Sequence, residues 1–292
     1  MKDARQNIRY WEREMTPSLK LCRLEAAAAG ERALRSFAPD ETPDLSVLSD
    51  ALSELFGKEP PGSPTATGLR AEMALSFCRS VLSLRPEYGT PAETLPPFSG
   101  RPARILCFEN PFANRAHLRF QPLFPATALL FAPSFSAAIE ELSNGSGDFA
   151  ILPVYDSAQG RLSGLVEQIE RAGLHLSHTV NIPYSNDARQ LRYALLSRDF
   201  TPPGRLRGQE VIELSFTAQG IPSDLFTAAS AAGLSLFSLD TRPVPGRPER
   251  LFFSIAFSVP PRTGPLFSLY LSLCQPHVDL NARYIHLSEE QK

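Results

Sequence analysis

The chain has 292 residues, 43% of them hydrophobic and 21% charged, with a formal net charge of -2. That is length for two or three domains and apolar content enough to fill their cores, which excludes a disordered chain. There is no basic excess to attract phosphates, no apolar run near the ~20 residues of a bilayer span, and no secretory apolar region in MKDARQNIRYWERE, so the expected partner is neither nucleic acid nor membrane and the expected compartment is the cytoplasm.

Residues 1–90 read as helical. Ile8, Trp11, Met15 and Leu19 recur at helical spacing, Pro17 is expected to kink or restart the helix, and Gly30 to stop it. A second helix is predicted over 45–56, ending at Gly57, and a third over 69–84. The Pro- and Gly-rich stretches 86–102 and 201–204 read as linkers. Between them, strands at 104–108, 127–131, 149–152, 174–182 and 191–196 alternate with helices at 113–120, 134–144 and 162–172. Ser134 is a cap for the second of these helices, and Gly145 and Gly173 end the second and third. This order predicts a largely parallel sheet with helices on its faces. Residues 205–292 read β-α-β-β-α-β, with elements at 210–217, 224–232, 234–240, 250–258, 265–274 and 283–287, the ferredoxin-like split pattern.

Candidate chemistry concentrates between Asp148 and Gly160, where a strand is expected to end at Pro153 in a polar turn before a helix near Leu162. Turns at the carboxyl ends of parallel strands are where open α/β sheets place ligands, and a helix N-terminus there offers free N–H groups to an anion. An ordinary connection with Asp156 or Ser157 as the helix cap fits the same residues. The four cysteines, Cys22, Cys78, Cys107 and Cys274, form no C-x-x-C pair and read as small core residues. His175 and His178 fall on opposite sides of a strand, so shared metal binding would need a turn there, and a structural or exposed role is the expected one.

The run D-F-A-I-L-P-V-Y-D-S-A-Q-G resembles the D-Y-G-V-L-P-I-E-N-S-x-x-G pattern of the prephenate dehydratase family, with Asp148, Leu152, Pro153, Ser157 and Gly160 matching outright. Leu239-Asp-Thr-Arg-Pro243 resembles the E-S-R-P segment of the ACT domain that follows the dehydratase domain. The helical N-terminus, with Arg5 and Gly30, resembles a chorismate mutase helix hairpin. The resemblance implies an α/β and α+β multi-domain chain. Its parts are a mutase-like helical region (1–90), a truncated periplasmic-binding-protein-like α/β lobe (101–200) and a C-terminal ferredoxin-like ACT domain (205–292).

For function it implies L-phenylalanine synthesis, the conversion of prephenate to phenylpyruvate, water and CO2 by a carbon–oxygen lyase. Arg192 and Ser157 then stand as catalytic residues, Asp156 and Asn114 as substrate contacts, and Asp224, Leu225, Asp240 and Arg242 as effector contacts. No metal or cofactor is implied. The implied ligand is prephenate or an aromatic amino acid, and the implied assembly is a homodimer.

The chain departs from the family where the chemistry lies. Leu191 stands where the family has a Thr hydroxyl, and losing a general acid costs ~10²–10⁴ in rate. Tyr155-Asp156 replaces Glu-Asn and adds a charge that repels a dianion. Seven residues separate Pro183 from Leu191, where the family has its second lobe. Cys22 and Ala33 replace cationic mutase residues, beside Arg23 and Arg32. The reading is therefore a dehydratase-like protein with catalysis reduced or lost. Its alternatives are a non-catalytic amino-acid-sensing or dimerising ACT-type protein and a residual chorismate mutase.

Overall fold

The computed structural model describes residues 2–35, 37, 44–57, 64–89, 101–184, 189–199, 208–220 and 222–287, except for the side chains of 2–18, 64–66, 89 and 248. The chain opens with helices α1 (Lys2–Arg35), α2 (Leu45–Phe56) and α3 (Pro64–Leu84). Helix α2 has the predicted limits because its ends are locally signalled: the Asp44 carboxylate accepts the Ser46 N–H, and Gly57 follows its last turn.

Helix α1 does not stop at Gly30, nor does it end at Pro17. A Cβ at Gly30 would sit 3.1 Å from the Phe77 carbonyl oxygen and 3.4 Å from a Val81 methyl. The missing side chain lets α1 and α3 approach closely, and that packing outweighs the ~1 kcal/mol helix penalty of glycine. The predicted linkers fall mostly outside the described residues, apart from a 3₁₀ turn at Pro86–Gly89.

The rest of the chain runs β1 (Ala103–Phe108), α4 (Pro111–Phe120), β2 (Thr127–Ala132), α5 (Phe135–Ser143), β3 (Phe149–Asp156), β4 (Gly160–Arg161), α6 (Ser163–Arg171), β5 (His175–Pro183) and β6 (Gln190–Ser197). It continues with β7 (Gln209–Ala218), α7 (Ser223–Ala231), β8 (Ser235–Val244), β9 (Arg247–Val259), α8 (Gly264–Cys274) and β10 (Asp279–Leu287). These strands form one ten-stranded sheet of order β2-β1-β3-β6-β5-β10-β7-β9-β8, with β4 beside β3.

The sheet is mixed rather than largely parallel. Strand β1 is parallel to β2 and β3, but β6 runs antiparallel to both β3 and β5. The connection from Pro183 to Gln190 is too short for a crossover of a dozen residues or more, so the chain reverses and pairs with itself. The last four strands are all antiparallel, in the order expected of the β-α-β-β-α-β pattern. They join the first half through one parallel contact, where Ile285, His286 and Leu287 pair with His178, Thr179 and Val180.

One face of the sheet is covered by α4 in the first half, around Ile105, Phe120 and Ile182. In the second half the same face is covered by α7 and α8, with α1–α3 stacked outside them, around Leu48, Phe77, Ile212, Phe257 and Phe267. Helices α5 and α6 cover the other face over Leu106, Leu152 and Leu196. The sheet curls toward α6. Phe237 of β8 lies 4.3 Å from the Arg192 guanidinium of β6, although four strands stand between them. A flat sheet would hold those strands ~24 Å apart.

Candidate functional site

Strand β3 does not end at Pro153 but continues to Asp156, and its register with β6 shifts between Pro153 and Tyr155. Proline has no N–H to give the ladder, so the pairing slips there and then resumes. Residues 157–159 turn the chain back into β4. Helix α6 begins only at Ser163 after Leu162, with no side-chain cap, so neither Asp156 nor Ser157 caps it.

Both residues instead close the end of the β3–β6 pair. Asp156 is 4% exposed and accepts the Ala158 N–H at 2.8 Å, an Arg189 N–H at 3.1 Å and the Tyr184 hydroxyl at 3.5 Å. The Ala158 N–H and the charge of Arg189 hold its carboxyl below the usual carboxylate range despite burial. The Ser157 hydroxyl accepts the Gln190 N–H at 2.9 Å, and the Ser157 N–H donates to the Gln190 carbonyl at 2.9 Å.

Strand alternation divides the predicted site between two faces. Tyr155 pairs with Arg192, and Asp156 with Leu191. Leu191 packs with Val180, Ile182 and Tyr193 beneath α4. On this side Asn110 caps α4, its Oδ1 accepting the Ala113 N–H at 2.8 Å and the Tyr193 hydroxyl at 3.3 Å. Burial pushes the Tyr193 phenol up to about 12. The Tyr184 ring leans on Phe112 with centroids 4.9 Å apart. Asn114 is exposed on α4, and its backbone N–H donates to the Asn110 carbonyl. Asn110, Tyr193, Tyr184, Asp156 and Arg189 thus gather at the carboxyl ends of β1 and β3, the place the topology favours for a ligand. Sequence reasoning did not single out Tyr184 or Arg189, which flank the turn. Asn110 was legible as a helix start in Asn110-Pro111.

The concave face holds a cavity of about 50 Å³ lined by residues that include Tyr155, Arg161, Arg192, Glu213, Asp240 and Tyr284. Its two arginines differ. Arg161 reaches Glu170 at 2.6 Å and Glu213 at 3.2 Å, and donates to the Ser254 hydroxyl at 2.7 Å. Arg192 donates from Nε to Asn181 Oδ1 at 3.2 Å, and lies 4.9 Å from the Tyr155 ring and 4.3 Å from the Phe237 ring. Among the described residues no carboxylate lies within ion-pair distance of Arg192. Next to it His286 shares a 2.9 Å hydrogen bond with Thr179, and burial together with the Arg192 charge lowers its imidazole to about 4.

The four predicted effector residues are not brought together. Asp224 is exposed on the first turn of α7, and Leu225 is sealed in the core beneath it. Asp240 lines the concave cavity on the opposite face of the sheet, and Arg242 pairs with Glu167 of α6 at 2.9 Å. In the helical region Cys22 and Ala33 pack against the core, Arg23 pairs with Glu72 at 2.9 Å, and the Arg5 side chain lies outside the described residues. Among the described residues no group of three His, Cys, Asp or Glu is placed to hold a metal, the cysteines are free thiols, and no helix is long and apolar enough to cross a membrane.

Comparison with solved structures places the prephenate dehydratase of Streptococcus mutans beside this chain, with a TM-score of 0.51 and 19% identity over 64% of this chain and 100% of that one. The two share a fold. More remote are GqqA, described as a novel type of quorum-quenching acylase (TM-score 0.48, 19% identity, 62% of this chain and 94% of that one), and the Arthrobacter aurescens prephenate dehydratase in complex with L-Phe (0.46, 13%, 62% and 90%). No family model and no curated protein matches the chain.

Proposed function

We propose that this is a prephenate dehydratase-like protein of L-phenylalanine metabolism that binds a small aromatic carboxylate without turning it over. Arg192 carries the reading. Its guanidinium is half-buried, edges a cavity, sits between two aromatic rings and has no carboxylate partner among the described residues. A cation withdrawn from water without a counter-ion favours an anion, and Tyr155 and Phe237 offer ring faces to an aromatic one. Dehydration would also need a proton delivered to a leaving hydroxyl. Leu191 cannot deliver one, and Asp156, held below the usual carboxylate range by the Ala158 N–H and Arg189, is ionised and tied to its own turn. The cavity, at about 50 Å³, is smaller than the ~300–1,000 Å³ of drug-sized ligand sites, so an aromatic carboxylate enters only as the concave seam opens.

Incubation with prephenate is expected to yield no phenylpyruvate above the spontaneous rate, beside a family enzyme as positive control. Phenylpyruvate is expected to raise the melting temperature, with ~2.7 kcal/mol of stabilisation at 100 Kd. Arg192→Met should abolish that shift while the far-ultraviolet dichroism stays unchanged. Turnover at the control's rate overturns the loss of catalysis. A wild-type protein indifferent to phenylpyruvate overturns the binding.

A further inference from the structure

Two groups on the wall of the concave cavity lack an ionic partner among the described residues, and they carry opposite charge. One is Arg192. The other is Asp240 of β8, half-buried, whose carboxylate has neither a hydrogen bond nor an ion pair among the described residues. The other carboxylates of the wall, Glu170 and Glu213, are both taken up by Arg161. Resting on the reading of Arg192 as a carboxylate site, we propose that the cavity selects an aromatic carboxylate with a hydroxyl at the far end of its ring, and that Asp240 sets this preference by accepting the hydroxyl's hydrogen bond.

The span between the two groups decides which ligand can reach both. Arg192 pairs with Tyr155 across β6 and β3, and Tyr155 pairs with Arg161 across β3 and β4. Residues opposite one another share a face, and two strand spacings of ~4.8 Å put the Arg192 and Arg161 backbones about 10 Å apart, with Tyr155 between them. Asp240 lies at the β4 end of that row: a Cβ on Gly160, next to Arg161, would stand 3.6 Å from its Oδ1. Strand β8 gives the same span. Its Phe237 ring is 4.3 Å from the Arg192 guanidinium, and Asp240 follows three residues later, about 10 Å along the strand at ~3.3 Å per residue. Each spacing is internal to one half of the sheet, so opening the seam changes neither.

An α-ammonium stands only ~2.5 Å from the carboxyl carbon of its own molecule, so a zwitterion does not bridge this span. At bond lengths of ~1.4–1.5 Å, a hydroxyl para to a three-carbon acid chain stands about 8 Å from the carboxyl carbon, and the two side chains close the remainder. The ligand ring then lies along Tyr155, whose own ring is 4.9 Å from the Arg192 guanidinium. A hydroxyl donates to Asp240. A bare ring edge instead covers the carboxylate and withdraws it from water without a partner, which costs affinity.

The test is calorimetric titration of the full chain with 4-hydroxyphenylpyruvate, phenylpyruvate and 4-methoxyphenylpyruvate, the last of which keeps the oxygen and loses the donor. The hydroxylated acid is expected to bind at least tenfold more tightly than the other two. Asp240→Ala should bring the hydroxylated acid level with phenylpyruvate, without lowering the affinity for phenylpyruvate itself. Because that carboxylate holds no neighbour in place, the variant's unliganded melting temperature should match the parent's. The methoxy comparison needs no variant and stands whether or not Asp240→Ala folds. Equal affinity for the three acids, a methoxy acid bound as tightly as the hydroxylated one, or a preference that survives in Asp240→Ala would each overturn the role of Asp240 and leave the Arg192 site standing. Absence of binding by all three acids would overturn the Arg192 site, and the preference with it.

Discussion

Along β7, Ile212, Leu214 and Phe216 point toward α7 and α8, whereas Val211, Glu213 and Ser215 point into the concave seam. Along β9, Phe253, Ile255 and Phe257 take the first side, and Ser254 and Ala256 the second. The first face is dry and aromatic: Phe216 stacks on Phe253 at 5.1 Å, and Phe257 meets Phe267 at 6.0 Å. The second holds Arg161, Glu213, Ser254 and Tyr284 around a small cavity. The same strands therefore hold one layer permanently and another conditionally. Apolar burial is lost whenever water enters, whereas ion pairs and hydroxyls can exchange protein partners for water at modest net cost. The aromatic carboxylate proposed at Arg192 would therefore meet the conditional layer.

If the dry face supplies the stability, Phe257→Ala should be the most damaging change, costing about 3–5 kcal/mol in urea or guanidinium unfolding. A cost below about 1 kcal/mol would contradict the contrast between the faces.

Acid should separate them less sharply, because the strand pair that joins the halves buries a histidine on each side. His178 and His286 are both lowered to about 4, chiefly by burial. Their unfolded value is ~6.5, so between the two values the unfolded chain binds more protons. The stability at stake is intact above pH ~6.5 and is lost as pH falls toward 4, about 3 kcal/mol for each histidine. Unfolding midpoints at pH 7, 5.5 and 4.5 should fall in order, and His286→Gln should flatten the trend. Midpoints that hold steady across this window would show that these imidazoles are not buried in neutral form.

The smallest effect belongs to the wet face. Glu213→Leu leaves Arg161 with Glu170 and should cost about 2 kcal/mol. Adding Arg161→Met should recover most of that loss, since an apolar replacement of a buried pair is often neutral or stabilising. If the double variant is as unstable as the sum of the single ones, the seam packs as tightly as the dry face and the comparison fails.

Much of the local structure was legible beforehand. Ser134 caps α5 as read, and Gly145 and Gly173 end their helices with φ of 81° and 64°, values that glycine adopts without strain. The β-α-β-β-α-β order of the C-terminal half was also legible, because each element carries its own periodicity. The candidate site was legible only in part. Ser157, Asp156 and Arg192 are close in the fold, yet strand pairing sends Arg192 to one face and Asp156 to the other, and a turn motif read in one dimension does not show this. Arg161 passed unnoticed for the same reason: its partners Glu213 and Ser254 belong to strands of the other half.

What the sequence by itself determined was the set of helices, all the strands but β4, most of their limits, and a resemblance whose fold is shared with a solved prephenate dehydratase. Those signals act over a few residues, through caps, turn glycines and hydrophobic period. Tertiary structure alone decided that β3 runs past Pro153, that Gly30 is a packing contact rather than a stop, and that the two halves share one curled sheet. The last depends on Thr179 meeting His286, 107 residues away. Nothing local in either strand names its partner, because a strand's free edge accepts any neighbour until the whole chain has buried its apolar faces.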